Sequence, residues 1–247
     1  MNDIVIALEN VTKSYSKKNA PAVQGFSMQC RRGTVTGLLG LNGAGKTTVL
    51  KAVCARHFAT SGAVTICGVD AAAEPEAVRM LTGFVSEQSV LPGEYSVSEY
   101  LFMRSALFGL SGSAQKAAVE RVTAQCALDD VTKQKIRSLS KGFLERVNFA
   151  QALVHNPPVL VLDEPASGLD PAQIVRMRAL VKQLLPEHTV LLSTHLMQEV
   201  DALCDTVYIL HKGSCVAHGT ALEIVAATHT SSLEEAFFAL TGSKESL

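Results

Sequence analysis

The chain has 247 residues, with 22 basic against 23 acidic side chains and a formal net charge of −1. That length allows one large core or two small ones, and the near-neutral balance excludes a field that would draw nucleic acid or an anionic membrane surface to the chain as a whole. Six cysteines (Cys30, Cys54, Cys67, Cys126, Cys204 and Cys215) are widely spread without a C-x-x-C pair, the pattern of reduced core residues in a cytosolic protein rather than of a disulfide framework or a zinc site.

The opening Met1-Asn2-Asp3 lacks the basic start of a secretory leader, and no run reaches the ~18 apolar residues of a membrane span, so work at a membrane would need a partner. Short apolar runs separated by turns, Ile4-Val-Ile-Ala-Leu8, Val23-Gln-Gly-Phe-Ser-Met28 and Ala63-Val-Thr-Ile-Cys67, predict a small β-rich layer. Val35-Thr-Gly-Leu-Leu39, Leu81-Thr-Gly-Phe-Val-Ser86, Val159-Leu-Val-Leu162 and Val190-Leu-Leu-Ser193 are continuous apolar runs, as expected of parallel strands covered on both faces. Between residues 88 and 156 the period turns helical, with helices predicted over 96–108, 113–128 and 141–155. Strands follow at 206–210 and 214–218, then helices at 221–227 and 232–240. The fold class is therefore α/β, with an antiparallel β subdomain and an inserted helical subdomain, and the motif at 40–48 described next makes its core a P-loop NTPase core. The division reads as a single domain over 1–247, with 1–87 and 157–247 as core and 88–156 as the helical insert.

Directly after the run at 35–39 stands Gly40-Leu41-Asn42-Gly43-Ala44-Gly45-Lys46-Thr47-Thr48, a full match to G-x-x-x-x-G-K-[ST]. The glycines let backbone N–H groups turn in around phosphate oxygens, where a Cβ would crowd the anion. Lys46 is placed to reach the β- and γ-phosphates, Thr47 offers a hydroxyl to Mg²⁺, and the helix that follows points its positive end at the phosphates. The chain is expected to bind a nucleoside triphosphate. Hydrolysis also needs an acid for the metal and a group to hold water. Asp163 and Glu164, at the end of the run 159–162, fit these two roles, because ligands of such sheets bind outside the strand ends. Taken alone, Asp163-Glu164-Pro165 reads equally as a solvated turn.

These motifs resemble those of the ATP-binding cassette ATPases, over nearly the whole chain and in that family's order. Gly40 to Thr48 matches Walker A, Gln88 in Phe84-Val-Ser-Glu-Gln88 the Q-loop, and Leu139-Ser-Lys-Gly-Phe-Leu-Glu-Arg146 the family signature. Val159 to Pro165 matches Walker B, Ala166-Ser-Gly-Leu-Asp170-Pro171 the D-loop, and Ser193-Thr-His195 the switch histidine. The resemblance implies ATP and Mg²⁺ as ligands, with adenine stacked on Tyr15, the metal served by Thr47, Gln88 and Asp163, and catalysis by Glu164, His195 and Lys46. It implies a head-to-tail dimer, either a homodimer or a paired cassette, in which Ser140, Lys141 and Gly142 of one subunit close on the other's γ-phosphate and Asp170 couples the two sites. It also implies membrane-spanning permease subunits that hold the chain at the cytoplasmic face of the cell membrane, with no nucleic acid as partner. The signature departs from Leu-Ser-Gly-Gly-Gln at Lys141 and Phe143. That form, together with the tail Leu233-Glu-Glu-Ala-Phe-Phe-Ala-Leu-Thr-Gly242, resembles cassettes serving export-type or ABC-2-type permeases.

Ordinary readings compete at single residues. Without its position upstream of Walker A, Tyr15 in Val11-Thr-Lys-Ser-Tyr15 reads as a half-buried strand tyrosine, and His195 reads as a cap for a nearby helix. Tyr100-Leu-Phe-Met-Arg-Ser-Ala-Leu-Phe108 has core-like spacing, yet an exposed apolar groove between Gln88 and Phe108, including Tyr100 and Phe102, is the expected permease contact. The function expected is the ATP-hydrolysing subunit of a membrane transporter. The alternative is a soluble cassette ATPase acting on a macromolecular machine such as iron–sulfur assembly. A kinase or GTPase reading lacks an Asn-Lys-x-Asp motif and leaves the signature unexplained.

Overall fold

The computed structural model describes residues 3–16, 20–87, 90–185 and 187–242. Ten strands among these form two sheets. The smaller has β1 (Ile4–Lys13) and β2 (Val23–Arg31) beside β4 (Ser61–Ile66) and β5 (Val69–Asp70), in the order β2-β1-β4-β5 and antiparallel throughout. On β2, buried Val23, Phe26, Met28 and Cys30 are separated by exposed residues, the alternation of a sheet with one covered face.

The larger sheet runs β10-β9-β3-β8-β7-β6, built from β3 (Val35–Leu39), β6 (Thr82–Val85), β7 (Val159–Asp163), β8 (Thr189–Thr194), β9 (Thr206–His211) and β10 (Ser214–Gly219). All pairs are parallel except β10 with β9. Every residue of β3, β6, β7 and β8 is buried, which is what their unbroken apolar runs predict. Leu160 and Leu162 are fully buried, and truncating either to alanine would cost about 2–5 kcal/mol.

Helices cover this sheet: α1 (Lys46–Val53), α2 (Pro75–Leu81), α6 (Pro171–Leu184) and α7 (Met197–Leu203), with α8 (Ala221–Thr228) and α9 (Leu233–Thr241) at the C-terminal side. Between β6 and β7 lie α3 (Val97–Leu107), α4 (Gly112–Gln125) and α5 (Lys141–Leu153), with two short 3₁₀ turns. They share a core with the outer side of β7 and β8 through Leu101, Val122, Phe149, Leu160 and Leu192. Ser96 caps α3 with a capping box to Glu99, so the helix starts at Val97, one residue after the predicted start. Helices α2 and α6 fall where no helix was expected. Helix α6 is braced to α7 by Arg178, which places Nη2 2.6 Å from Oε1 of Glu199, a carboxylate 1% exposed. All six cysteines are unbonded, and burial pushes the thiols of Cys30, Cys54, Cys126 and Cys204 up to about 12.

Candidate nucleotide site

Strands β3, β7 and β8 end flush, with Leu39 opposite Thr194 and Asp163 opposite Ser193. The residues that follow each strand therefore gather at one edge. The loop after β3 is closed by a hydrogen bond from the Gly40 amide to the Thr194 carbonyl, at 3.2 Å. Leu41, Asn42 and Gly43 form its exposed tip, while Ala44 tucks into the core. Gly45 is the N-cap of α1 at φ 110°, and no side chain caps the helix, which leaves its positive end to an anion. A Cβ on Gly45 would lie 2.6 Å from the Ala22 carbonyl oxygen, so the loop accepts only glycine there.

Lys46 is buried and donates to the carbonyls of Gly40 (2.6 Å) and Leu41 (3.3 Å). Its ammonium lies 2.9 Å from Oε1 of Glu164, close enough for an ion pair but without hydrogen-bond alignment. The other Glu164 oxygen, Oε2, lies 2.8 Å from Nδ1 of His195. Glu164 sits at φ 49°, a left-handed backbone that a non-glycine residue holds only when its surroundings fix it. They do so here: the Glu164 amide donates to both the hydroxyl (3.1 Å) and the carbonyl (3.2 Å) of Ser193.

Asp163 is 4% exposed and accepts from the hydroxyls of Ser193 (2.7 Å) and Thr47 (3.3 Å) on Oδ1. Burial lifts its carboxyl above the ordinary range, the two hydroxyl bonds pull it back, and the charges of Glu164 and Glu87 push it up again. The donors that meet here are oxygens, a hydroxyl and a carboxylate, which suit a hard cation. Among the described residues no cluster of three His, Cys, Asp or Glu side chains is placed to hold a metal. Mg²⁺ does not require one, since it takes one or two carboxylates and completes its shell with phosphate and water. Gln88, the third expected metal residue, lies outside the described residues.

Tyr15 lies beyond the end of β1 and is 59% exposed, so it is not a half-buried strand residue. Its hydroxyl is 3.3 Å from that of Thr48, and His57 meets its ring edge-on, with centroids 5.7 Å apart. This leaves a ring beside the phosphate loop with surface to spare. His195 does not cap α7, whose N-cap position is Leu196, and turns instead to Glu164.

The signature residues stand apart from this cluster, against the loop that follows Glu164. Ser140 is the exposed N-cap of α5, Lys141 its first residue, and Gly142 packs on the Gln173 side chain. Phe143, in place of the usual glutamine, is half-buried in the helical core with the Arg146 guanidinium 5.1 Å above its ring, so its work is to anchor α5. Asp170 caps α6 by accepting from the Gln173 amide at 2.8 Å, while the Gln173 side chain accepts from the Asp170 amide at 3.2 Å. Sequence reasoning gave Ser193 no role of its own, placing it at a strand end and in the switch-histidine motif. The hydroxyl that ends an apolar run beside two acids was the available signal.

The expected apolar groove between Gln88 and Phe108 needs correction. Tyr100 is 7% exposed and belongs to the core, because α3 turns it inward with Val97 and Leu101. Phe102 is on the open side. A groove does lie between α2 and α3, encloses about 570 Å³, and is lined by Arg79, Met80, Arg104, Leu107 and Phe108, among others.

Residues 23–167 match the family model described as ABC transporter. The chain belongs to that family. Among the relatives of this ABC transporter chain is the ABC transporter ATP-binding protein NatA of Bacillus subtilis (strain 168). It is 34% identical over 205 residues, which cover 82% of this chain and 83% of that one. The Nod factor export ATP-binding protein I of Burkholderia orbicola (strain AU 1054) is 36% identical over 215 residues, covering 87% and 70%. A solved structure described as the ATP binding subunit of an ABC transporter superposes with a TM-score of 0.86 at 27% identity, covering 96% of this chain and 99% of that one. The chain is an ATP-binding subunit of an ABC transporter, an ATPase whose hydrolysis is coupled to transport.

Proposed function

We propose that this subunit binds ATP between its phosphate loop and the Tyr15 ring and hydrolyses it with Glu164 as general base. The observation that carries this is the meeting of Lys46, Thr47, Asp163, Glu164 and His195 at three flush strand ends. Lys46 is the cation for the β- and γ-phosphates. Thr47 and Asp163, with Gln88 as the resemblance implies, would hold Mg²⁺, which would supply charge neutralisation to the triphosphate. Glu164 takes the proton of the attacking water, and His195, bonded to Oε2, orients that carboxylate and reaches toward the γ-phosphate.

The subunit works as half of a head-to-tail pair. The start of α5 supports this, since its N-cap Ser140 is exposed and no side chain caps the helix, so that a second cassette's nucleotide would be met by a helix N-terminus. Asp170, fixed by its capping box, brings the D-loop to the same face. The α2–α3 groove, with apolar Met80, Leu107 and Phe108 and the cations Arg79 and Arg104, is the seat for a cytoplasmic segment of a membrane-spanning permease. Residues 1–87 and 157–247 act as the nucleotide-binding core and 88–156 as the helical subdomain facing the permease. The NatA and Nod factor export relatives support an export-type, ABC-2-like system at the cytoplasmic face of the membrane, with cargo chosen by the membrane chains.

The test is a mild-detergent pull-down of tagged Glu164→Gln protein with ATP from its native cells. A stoichiometric multi-span membrane protein is the expected companion. Recovery of soluble partners alone, with the chain absent from membranes, would refute the permease attachment.

A further inference from the structure

Lys141 stands where the family signature has glycine, and its side chain reaches back over the loop that follows Glu164. The ammonium occupies the place that a Cβ on Gly168 would take. Gly168 has φ +65°, a backbone that resists a side chain, so the turn leaves a hollow and Lys141 fills it. Helix stability does not account for this lysine, because a cation at a helix N-terminus opposes the helix dipole.

The loop under Lys141 leads straight to the catalytic region. The Ser167 amide donates to the Glu164 carbonyl at 3.0 Å, and the Leu169 amide to that of Ala166 at 3.2 Å. The Ser167 hydroxyl donates to Glu87 at 3.2 Å, and Gln173 fixes Asp170 while it packs under Gly142. The stretch from Glu164 to Asp170 is thus tethered by Glu87 on one side and by α5 on the other. We infer that Lys141 is a positioning residue for hydrolysis: it props the 166–170 loop against the signature helix and so fixes the backbone from which Glu164 projects. This rests on the assignment of Glu164 as the base.

Steady-state ATPase measurements on Lys141→Ala and Lys141→Arg test it. Lys141→Ala is expected to lower kcat about five-fold with KM for ATP within about two-fold of wild type, and Lys141→Arg, which can span the same turn, to restore kcat. A raised KM with kcat intact would put the ammonium on the nucleotide, and an unchanged kcat would leave the contact idle. Either result overturns the inference. Gly168→Ala supplies a control for misfolding, because the strain at φ +65° is common to every background. Its loss of kcat should be smaller in the Lys141→Ala background than in wild type, and equal losses would refute the contact. Wild-type turnover in Glu164→Gln would instead remove the base assignment itself, whatever Lys141 does.

Discussion

Lys46 and Glu164 face each other across the site, Nζ to Oε1 at 2.9 Å, with both side chains more than nine-tenths buried. The cation proposed to bind phosphate and the acid proposed as base are thus each other's counterion. A triphosphate that draws Lys46 away loosens one of the two contacts of the Glu164 carboxylate and leaves His195 as the other. Lys46→Met strands a buried carboxylate and is expected to lower unfolding free energy by about 3 kcal/mol. Lys46→Met with Glu164→Gln should recover most of that loss, as read by urea melts.

Glu164→Gln alone should retain ATP binding and lose about 10²–10⁴-fold in turnover, the contribution of a positioned general base. Equilibrium binding of a fluorescent ATP analogue beside single-turnover hydrolysis separates the two. Retained wild-type turnover would refute the assignment.

Ser193 donates to Asp163 and receives the Glu164 amide, so it orients both acids. Ser193→Ala is expected to raise the Mg²⁺ concentration needed for half-maximal hydrolysis about ten-fold, the usual cost of removing a hydrogen-bond partner behind a metal ligand. Chelation with EDTA should abolish turnover in either protein, and a Mg²⁺ titration reads both effects.

Burial lifts the Glu145 carboxyl to about 7, against the pull of Lys141 and Asn148. In the unfolded chain it ionises near 4.5, so between pH 4.5 and about 7 the native state keeps a proton that the unfolded state has released. Stability therefore falls as pH rises through that window. Glu145→Gln should raise the melting temperature at pH 8 and change it little at pH 4.5, a difference that thermal melts at the two pH values measure.

In the α2–α3 groove, Leu107 is 69% exposed, whereas Tyr100 is part of the core. Leu107→Glu is expected to leave folding and basal ATP hydrolysis intact and to reduce recovery of the membrane partner at least about five-fold, as removal of an interface anchor does. Co-purification at matched expression measures it.

The parallel strands and the phosphate loop were legible because each carries a local signal: an unbroken apolar run, or glycine spacing before a lysine. Helix α6 was legible too, with Met177, Val181 and Leu184 at helical spacing behind Asp170, Pro171 and Gln173 at its start. Treating Asp170-Pro171 only as a motif passed over those signals. Helix α2 gave less to read, since its seven residues bury Val78 alone. The pairing of Lys46 with Glu164 and the seat of Lys141 on Gly168 depend on which strand ends and loops meet in space, and residues 118 and 27 positions apart carry no mark of meeting. Tyr100 shows the converse limit: its spacing fitted both core and surface, and only the rotation of α3 decided between them.

The ion pair of Arg178 with Glu199 joins the helix capped by Asp170 to the helix that follows His195. Its mechanical effect is that of a strut in a frame. With a rise of about 1.5 Å per residue, α6 is a rod of roughly 20 Å, and a rod pinned near its middle to α7 cannot swing by itself. Any tilt of α6 at its Asp170 end is carried to the segment that follows His195, so the Asp170 and His195 ends report on one another within a single subunit.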